Sequence, residues 1–145
     1  MNIGRKIVHR AMLAALLLCA PLALRAQMVV ITHASVPVKS ISVRELLDVY
    51  TLNQSRWDDG TRITVVDVKS GKGRDAFFEY IGMSPEEMQR IWLRKQFTGK
   101  ARPPRSVGSE EDVVDLVAAT EGAIGYVNER ALKSGKSVRI IARFK

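Results

Sequence analysis

The sequence predicts an α/β fold, a three-layer single domain with a mainly parallel or mixed sheet. Two observations carry the prediction. Short runs rich in β-branched residues alternate with stretches whose apolar residues recur at helical spacing. The part of the chain that can hold such a core, residues 27–145, is 119 residues long. That is the size of one domain around one hydrophobic core and too little for two lobes.

Residues 1–26 are set apart from that domain as a signal peptide. Arg5, Lys6 and Arg10 form a basic start, and residues 11–24 follow without a charge. Leu24-Arg25-Ala26 then offers a cleavage site, with Leu24 in place of the preferred small residue. An apolar stretch this short with basic flanks reads as a secretory signal rather than a spanning helix. The other reading is an anchor that stays in place. Lipidation at Cys19 is disfavoured because Leu18 before it is bulky. The expectation is a periplasmic or secreted protein with no stable membrane insertion after cleavage.

The domain elements follow in order. Residues 28–32 are continuously apolar and read as a buried strand. Ser42-Val43-Arg44-Glu45 is a capping box, followed by Leu46, Leu47 and Tyr50 at helical spacing. Residues 53–60 form a turn region, and residues 62–68 are a second β-branched strand. A glycine-punctuated loop, Ser70-Gly71-Lys72-Gly73, leads into a helix over 74–81. Ser84-Pro85-Glu86-Glu87 opens the next helix with a cap, a proline at the first position and a glutamate to close the box. Met88, Ile91 and Trp92 are its inner face. Residues 98–104 are a basic loop. Ser109 starts a helix that Gly122 stops, with a short strand over 123–127. Residues 138–144 alternate, with Val138, Ile140, Ala142 and Phe144 on one side and Arg139 and Arg143 on the other. That pattern predicts a half-exposed edge strand.

Composition narrows the chemistry. The formal charge of +8 falls to +4 once residues 1–26 are set aside, because they carry four basic residues and no acid. Such a charge suits anionic ligands without demanding nucleic acid, and no nucleic-acid partner is expected. Cys19 is the only cysteine, so the domain has neither disulfide nor thiol chemistry. His33 is its only histidine. No metal site, no cofactor and no catalytic residue is expected. A hydrolase lacks support, because there is no G-x-S-x-G motif and no cysteine nucleophile.

The candidate site is the loop Ser70-Gly71-Lys72-Gly73-Arg74 between strand and helix. Glycines let backbone N–H groups converge on a small anion, and the helix N-terminus adds partial positive charge. Ser70, Lys72 and Arg74 add donors. The alternative is a solvated turn, since the spacing is not that of a nucleotide P-loop. The site is expected at the carboxyl edge of the sheet, where α/β sheets place ligands. Arg74 is expected to face solvent, so that its removal would affect binding and not folding. Lys100, Arg102 and Arg105 form either an anionic-partner surface or a solvated loop. Trp57 is expected to plug the core beside a turn rather than stack on a ligand, and Trp92 to lie in the core. Asp67 and Asp75 flank the loop, with nothing to show that they meet as acid and base.

A family resemblance covers most of the domain. Ser42-Val43-Arg44-Glu45-Leu46-Leu47-Asp48-Val49-Tyr50, then Arg56-Trp57-Asp58-Asp59-Gly60, resembles the L-x-x-I-Y-x-G-x-x-x-x-W-x-D stretch of phosphate-binding proteins of ABC transporters. Phe97-Thr98-Gly99-Lys100 and Val107-Gly108-Ser109 resemble markers of small single-domain relatives. Thr120-Glu121-Gly122-Ala123-Ile124-Gly125-Tyr126-Val127 is similar to their T-x-G-A/S-I-G-Y-V segment and is the most specific of these matches. The resemblance implies one lobe of a type 2 periplasmic-binding-protein-like fold. It also implies a non-enzymatic transport role, with inorganic phosphate or a similar oxyanion as ligand. The family's phosphate loop reads G-S-G-T-T. Here Ser70 and the glycines remain as types, and the paired threonines do not. The family also closes two lobes on its ligand. Weak oxyanion binding is therefore the first expectation. The second is an accessory module that kept the fold, lost the ligand and contacts an envelope protein.

Overall fold

The computed structural model describes residues 27–132 and 136–145, and the leader read over residues 1–26 lies outside them. Ten elements are ordered along the described chain: β1 (Met28–His33), α1 (Val43–Tyr50), β2 (Thr64–Val68), α2 (Lys72–Ile81), α3 (Pro85–Phe97), β3 (Arg105–Val107), α4 (Glu110–Ala119), β4 (Ala123–Asn128), a 3-10 turn (Glu129–Ala131) and β5 (Val138–Phe144). The sheet order is β3-β2-β4-β1-β5. β2 runs parallel to β3 and β4, while β1 is antiparallel to β4 and β5. The sheet is therefore mixed, with a parallel block at one end.

Helices cover both faces. Successive residues of a strand point to opposite sides. Gly125 faces Val113 and Val117 of α4, and its neighbour Tyr126 stacks on Phe77 of α2 at 4.0 Å between ring centroids. Tyr50 of α1 and Phe144 of β5 pack on the same Phe77 ring, at 4.6 and 5.9 Å. One aromatic cluster thus joins α1, α2, β4 and β5. A β-carbon at Gly125 would lie 2.6 Å from Val113 Cγ1, so glycine is what lets α4 seat on the sheet.

The helix starts follow the predicted chemistry. Ser42 and Ser84 each close a full capping box, with Glu45 and Glu87, and Ser109 caps α4. Both tryptophans are core residues. Trp57 Nε1 donates to Gly122 O at 2.9 Å and Trp92 Nε1 to Tyr50 O at 2.6 Å. Gly122 has φ +76°, and a β-carbon there would lie 2.2 Å from Arg62 O. The T-x-G-A-I-G-Y-V segment is thus built for close approach of its backbone to neighbouring elements, at Gly122 as at Gly125.

Three predictions of local structure need correction. The sequence pattern assigns no strand at β3, which takes in Arg105 from the end of the basic loop; it is only Arg-Ser-Val, largely exposed, and no periodicity marks so short a strand. The helix after the glycine loop starts at Lys72 rather than at residue 74. The alternation in β5 is broken by a bulge. The pairing passes from Val30↔Ala142 to Ile31↔Ile140, so Ile141 has no partner and turns into the core at 4% exposure. β5 is nonetheless an edge strand, as its pattern predicts.

Candidate functional site

The carboxyl ends of β2, β3 and β4 meet at one edge of the sheet, because the three strands run parallel. The Ser70 loop leaves β2 there and enters α2. Gly71 is the N-cap of α2 with φ +125° and ψ 165°, a conformation only glycine adopts without strain. Unlike the other three α-helices, α2 has no side-chain cap. Its first-turn amides, at Lys72, Gly73 and Arg74, are open to an acceptor from outside. Ser70, Gly71 and Lys72 are exposed beside them.

Arg74 departs from expectation. Its guanidinium turns back onto Asp67 of β2, with Nε 3.2 Å and Nη2 3.1 Å from Oδ2. The two side chains are 13% and 5% exposed. The guanidinium also lies 4.8 Å above the Phe78 ring. Tyr126 donates to the other carboxylate oxygen, Asp67 Oδ1, at 2.5 Å. Burial first, and then the Asp67 charge, pushes the Tyr126 hydroxyl far above its ordinary range, so it stays a donor. Arg74 is therefore half of a buried pair, not a solvent-facing cation, and Asp67 is committed to Arg74 rather than to Asp75. Asp75 is exposed in the first turn of α2.

A second acid sits beside the loop. Glu110, the first residue of α4, accepts from Asn128 N at 2.8 Å through Oε2. Its Oε1 lies 2.3 Å from where a Gly73 β-carbon would be. The carboxylate thus occupies ground next to the open amides of α2. Spacing along the chain gives no hint of this, because residues 73 and 110 meet only through the sheet. Arg74 and Lys69 also line a cavity of about 230 Å³ with Asp67, Trp92, Gln96 and Ser106. His33 ends β1 with Nδ1 at 2.7 Å from Ser35 Oγ, a local turn contact. No group of three or more His, Cys, Asp or Glu side chains suited to a metal occurs among the described residues.

Several solved structures share this architecture. A protein of Clostridium perfringens assigned as a phosphate ABC transporter substrate-binding protein, solved with phosphate bound, superposes with a TM-score of 0.64 at 27% identity. The alignment covers 80% of this chain and 45% of that one. An ABC-type phosphate transport receptor of Vibrio cholerae superposes with a TM-score of 0.62 at 19% identity, over 80% of this chain and 46% of its own.

This chain has the fold of one lobe of those proteins.

It spans a little under half of their length. No protein-family model and no curated protein matches the chain. Among the described residues, no helix of this single-lobe domain is long and apolar enough to cross a membrane.

Proposed function

We propose that this single-lobe domain is an exported, non-enzymatic protein, similar to the substrate-binding proteins of phosphate ABC transporters, that binds a phosphate-like oxyanion weakly at Ser70, Gly71, Lys72, Gly73 and Arg74. The observation that carries the reading is the uncapped start of α2 at the carboxyl end of β2. In a fold shared with a phosphate-bound protein, it leaves the amides of Lys72, Gly73 and Arg74 without a side-chain cap, in the same loop as the exposed Ser70 and Lys72, whose side chains add a hydroxyl and an ammonium donor. Arg74 contributes its amide, since its side chain holds Asp67.

Weakness follows from geometry. Micromolar affinity takes about 8 kcal/mol. Charge-assisted hydrogen bonds contribute roughly 1.5–3 kcal/mol each when dry and far less when open to water. The exposed Ser70, Gly71 and Lys72 leave the anion wet, and Glu110 adds a like charge beside it. Calorimetric titration of the domain with phosphate is expected to give a dissociation constant in the millimolar range, about 4 kcal/mol. The affinity falls with added salt, because exposed charges are screened over about 10 Å at 0.1 M. Glu110→Gln strengthens binding and Lys72→Ala weakens it. Micromolar, salt-insensitive binding would contradict the open one-lobe site.

A second reading is favoured by the same two residues that oppose the anion, Arg74 tied to Asp67 and Glu110 beside Gly73. It is an accessory module that has lost the ligand and contacts an envelope protein. Absence of heat with phosphate, in both the wild type and Glu110→Gln, selects it. Export itself is checked by intact mass of protein from the cell envelope, expected to match a chain that begins at Gln27. Full-length chain in the membrane fraction would instead support a retained anchor.

A further inference from the structure

The opposite edge of the sheet carries a feature the Ser70 loop does not use. β3 joins β2 only from Arg105, which pairs with Val66. Upstream, Pro103 and Pro104 have no amide hydrogen to continue the ladder. Thr64 and Val65 therefore pair with β4 on one side alone. A cavity of about 480 Å³ opens in the gap. Leu52, Ile63, Val65 and Pro104 give it an apolar floor. Arg56 and Arg62, from the hairpin before β2, stand on one side, and Lys100, Arg102 and Arg105 on the other.

These five cations share a cavity whose lining holds no carboxylate. None of them is in an ion pair among the described residues. Arg56 is partly committed, donating to Gly60 O at 2.8 Å. The local charge of +5 exceeds the +4 of the whole segment 27–145. Like charges gathered around one low-dielectric wall repel in the free protein, and a bound anion relieves that repulsion. The volume lies within the roughly 300–1,000 Å³ range of small-molecule sites. The apolar floor has no use for a bare inorganic ion, and guanidinium forks match phosphate and carboxylate in pairs.

We propose that this cavity binds a small organic polyanion, an apolar body bearing clustered phosphate or carboxylate groups. The site is independent of the oxyanion site above. It lies at the amino end of β2, and the strand itself, about 13 Å from Thr64 to Val68 at a rise of about 3.3 Å per residue, separates it from the end that leads into the Ser70 loop.

The test is calorimetric titration of the chain with ATP, as the phosphate arm, and benzene-1,3,5-tricarboxylate, as the carboxylate arm, with a hexa-aspartate peptide in parallel. At least one small anion is expected to bind at one site per chain, and which one does identifies the preferred group. Arg62→Ala/Arg102→Ala is expected to weaken that binding roughly tenfold or more, for the loss of two charge-assisted contacts. Lys100→Glu should weaken it as well, by a single surface change that leaves the circular dichroism spectrum intact. Lys72→Ala, at the far edge, leaves it within about twofold, as distant sites act independently. Binding undiminished in the rim variants, no binding of either small anion, or binding of the peptide alone each overturns the proposal.

Discussion

At the residue scale, the decisive contact is Arg74 with Asp67. A partly exposed arginine in a loop would be expendable. This one neutralises a carboxylate that is otherwise sealed behind β2, with only Tyr126 to share it. Removing one member of a buried pair leaves an uncompensated charge, which costs about 3–5 kcal/mol. Arg74→Ala is expected to destabilise the domain by about 3 kcal/mol, read from urea unfolding midpoints at constant slope. Adding Asp67→Asn to it should return part of the loss, because the stranded charge goes with it. A loss below about 1 kcal/mol, as for an ordinary surface change, would show the pair to be dispensable. Gly125 makes a parallel case. Gly125→Val forces Val113 and α4 away from the sheet and should cost at least as much as other overpacked sites, about 1–3 kcal/mol.

At the element scale, α1 and α3 are each held at their start by a capping box. The Ser42 side chain and backbone amide both bond Glu45, and this holds the Glu45 carboxyl below its ordinary value. The Ser84 amide bond, with Ser84 Oγ, does the same for Glu87. A carboxyl with a lowered folded value binds fewer protons folded than unfolded. Its contribution is complete above the ordinary value of 4.5 and is lost as pH falls through the lower folded value. Glu45→Gln/Glu87→Gln should therefore flatten the acid limb of the stability curve between about pH 5 and pH 3, measured by thermal unfolding across pH. An unchanged acid limb would place the loss elsewhere. Ser84→Ala should cost about 1 kcal/mol and shorten α3 from its first turn, where Pro85 already sets the backbone.

At the scale of the whole molecule, one hydrophobic cluster runs through β1, β2, β4 and β5, from Met28 to Phe144, with Val107 of β3 packed against it. No part of the described domain has a core of its own. Chemical unfolding followed by tryptophan fluorescence and by far-ultraviolet circular dichroism is expected to give coincident single transitions. Trp57 reports the β2–β4 junction through Gly122, and Trp92 reports α3 through Tyr50, so the two probes lie on different elements. Separated transitions would mean that α3 melts independently. At the carboxyl edge of the parallel strands the described domain exposes Ser70, Gly71 and Lys72, so a group docked at the start of α2 would be open to water.

Much of this was legible in the chain alone. Alternating strand and helix patterns, serine caps with a glutamate three residues on, and a glycine after each turn are local signals, and local physics decides them. Among the described residues they located the four α-helices, four of the five strands and the loop that opens α2. Burial of Trp57 and Trp92 was legible as well, because large apolar rings at such positions have nowhere better to go. What only the tertiary structure decided depends on which distant residues share a space. β3 is too short to carry a period, and the bulge at Ile141 arises from pairing with β1. Arg74 looked free until the sheet set Asp67 beneath it. Glu110 came beside Gly73, and Arg56 and Arg62 came to face Lys100, Arg102 and Arg105, only when the parallel strands set their ends side by side. Charge is visible in a sequence, but its partners are chosen in space.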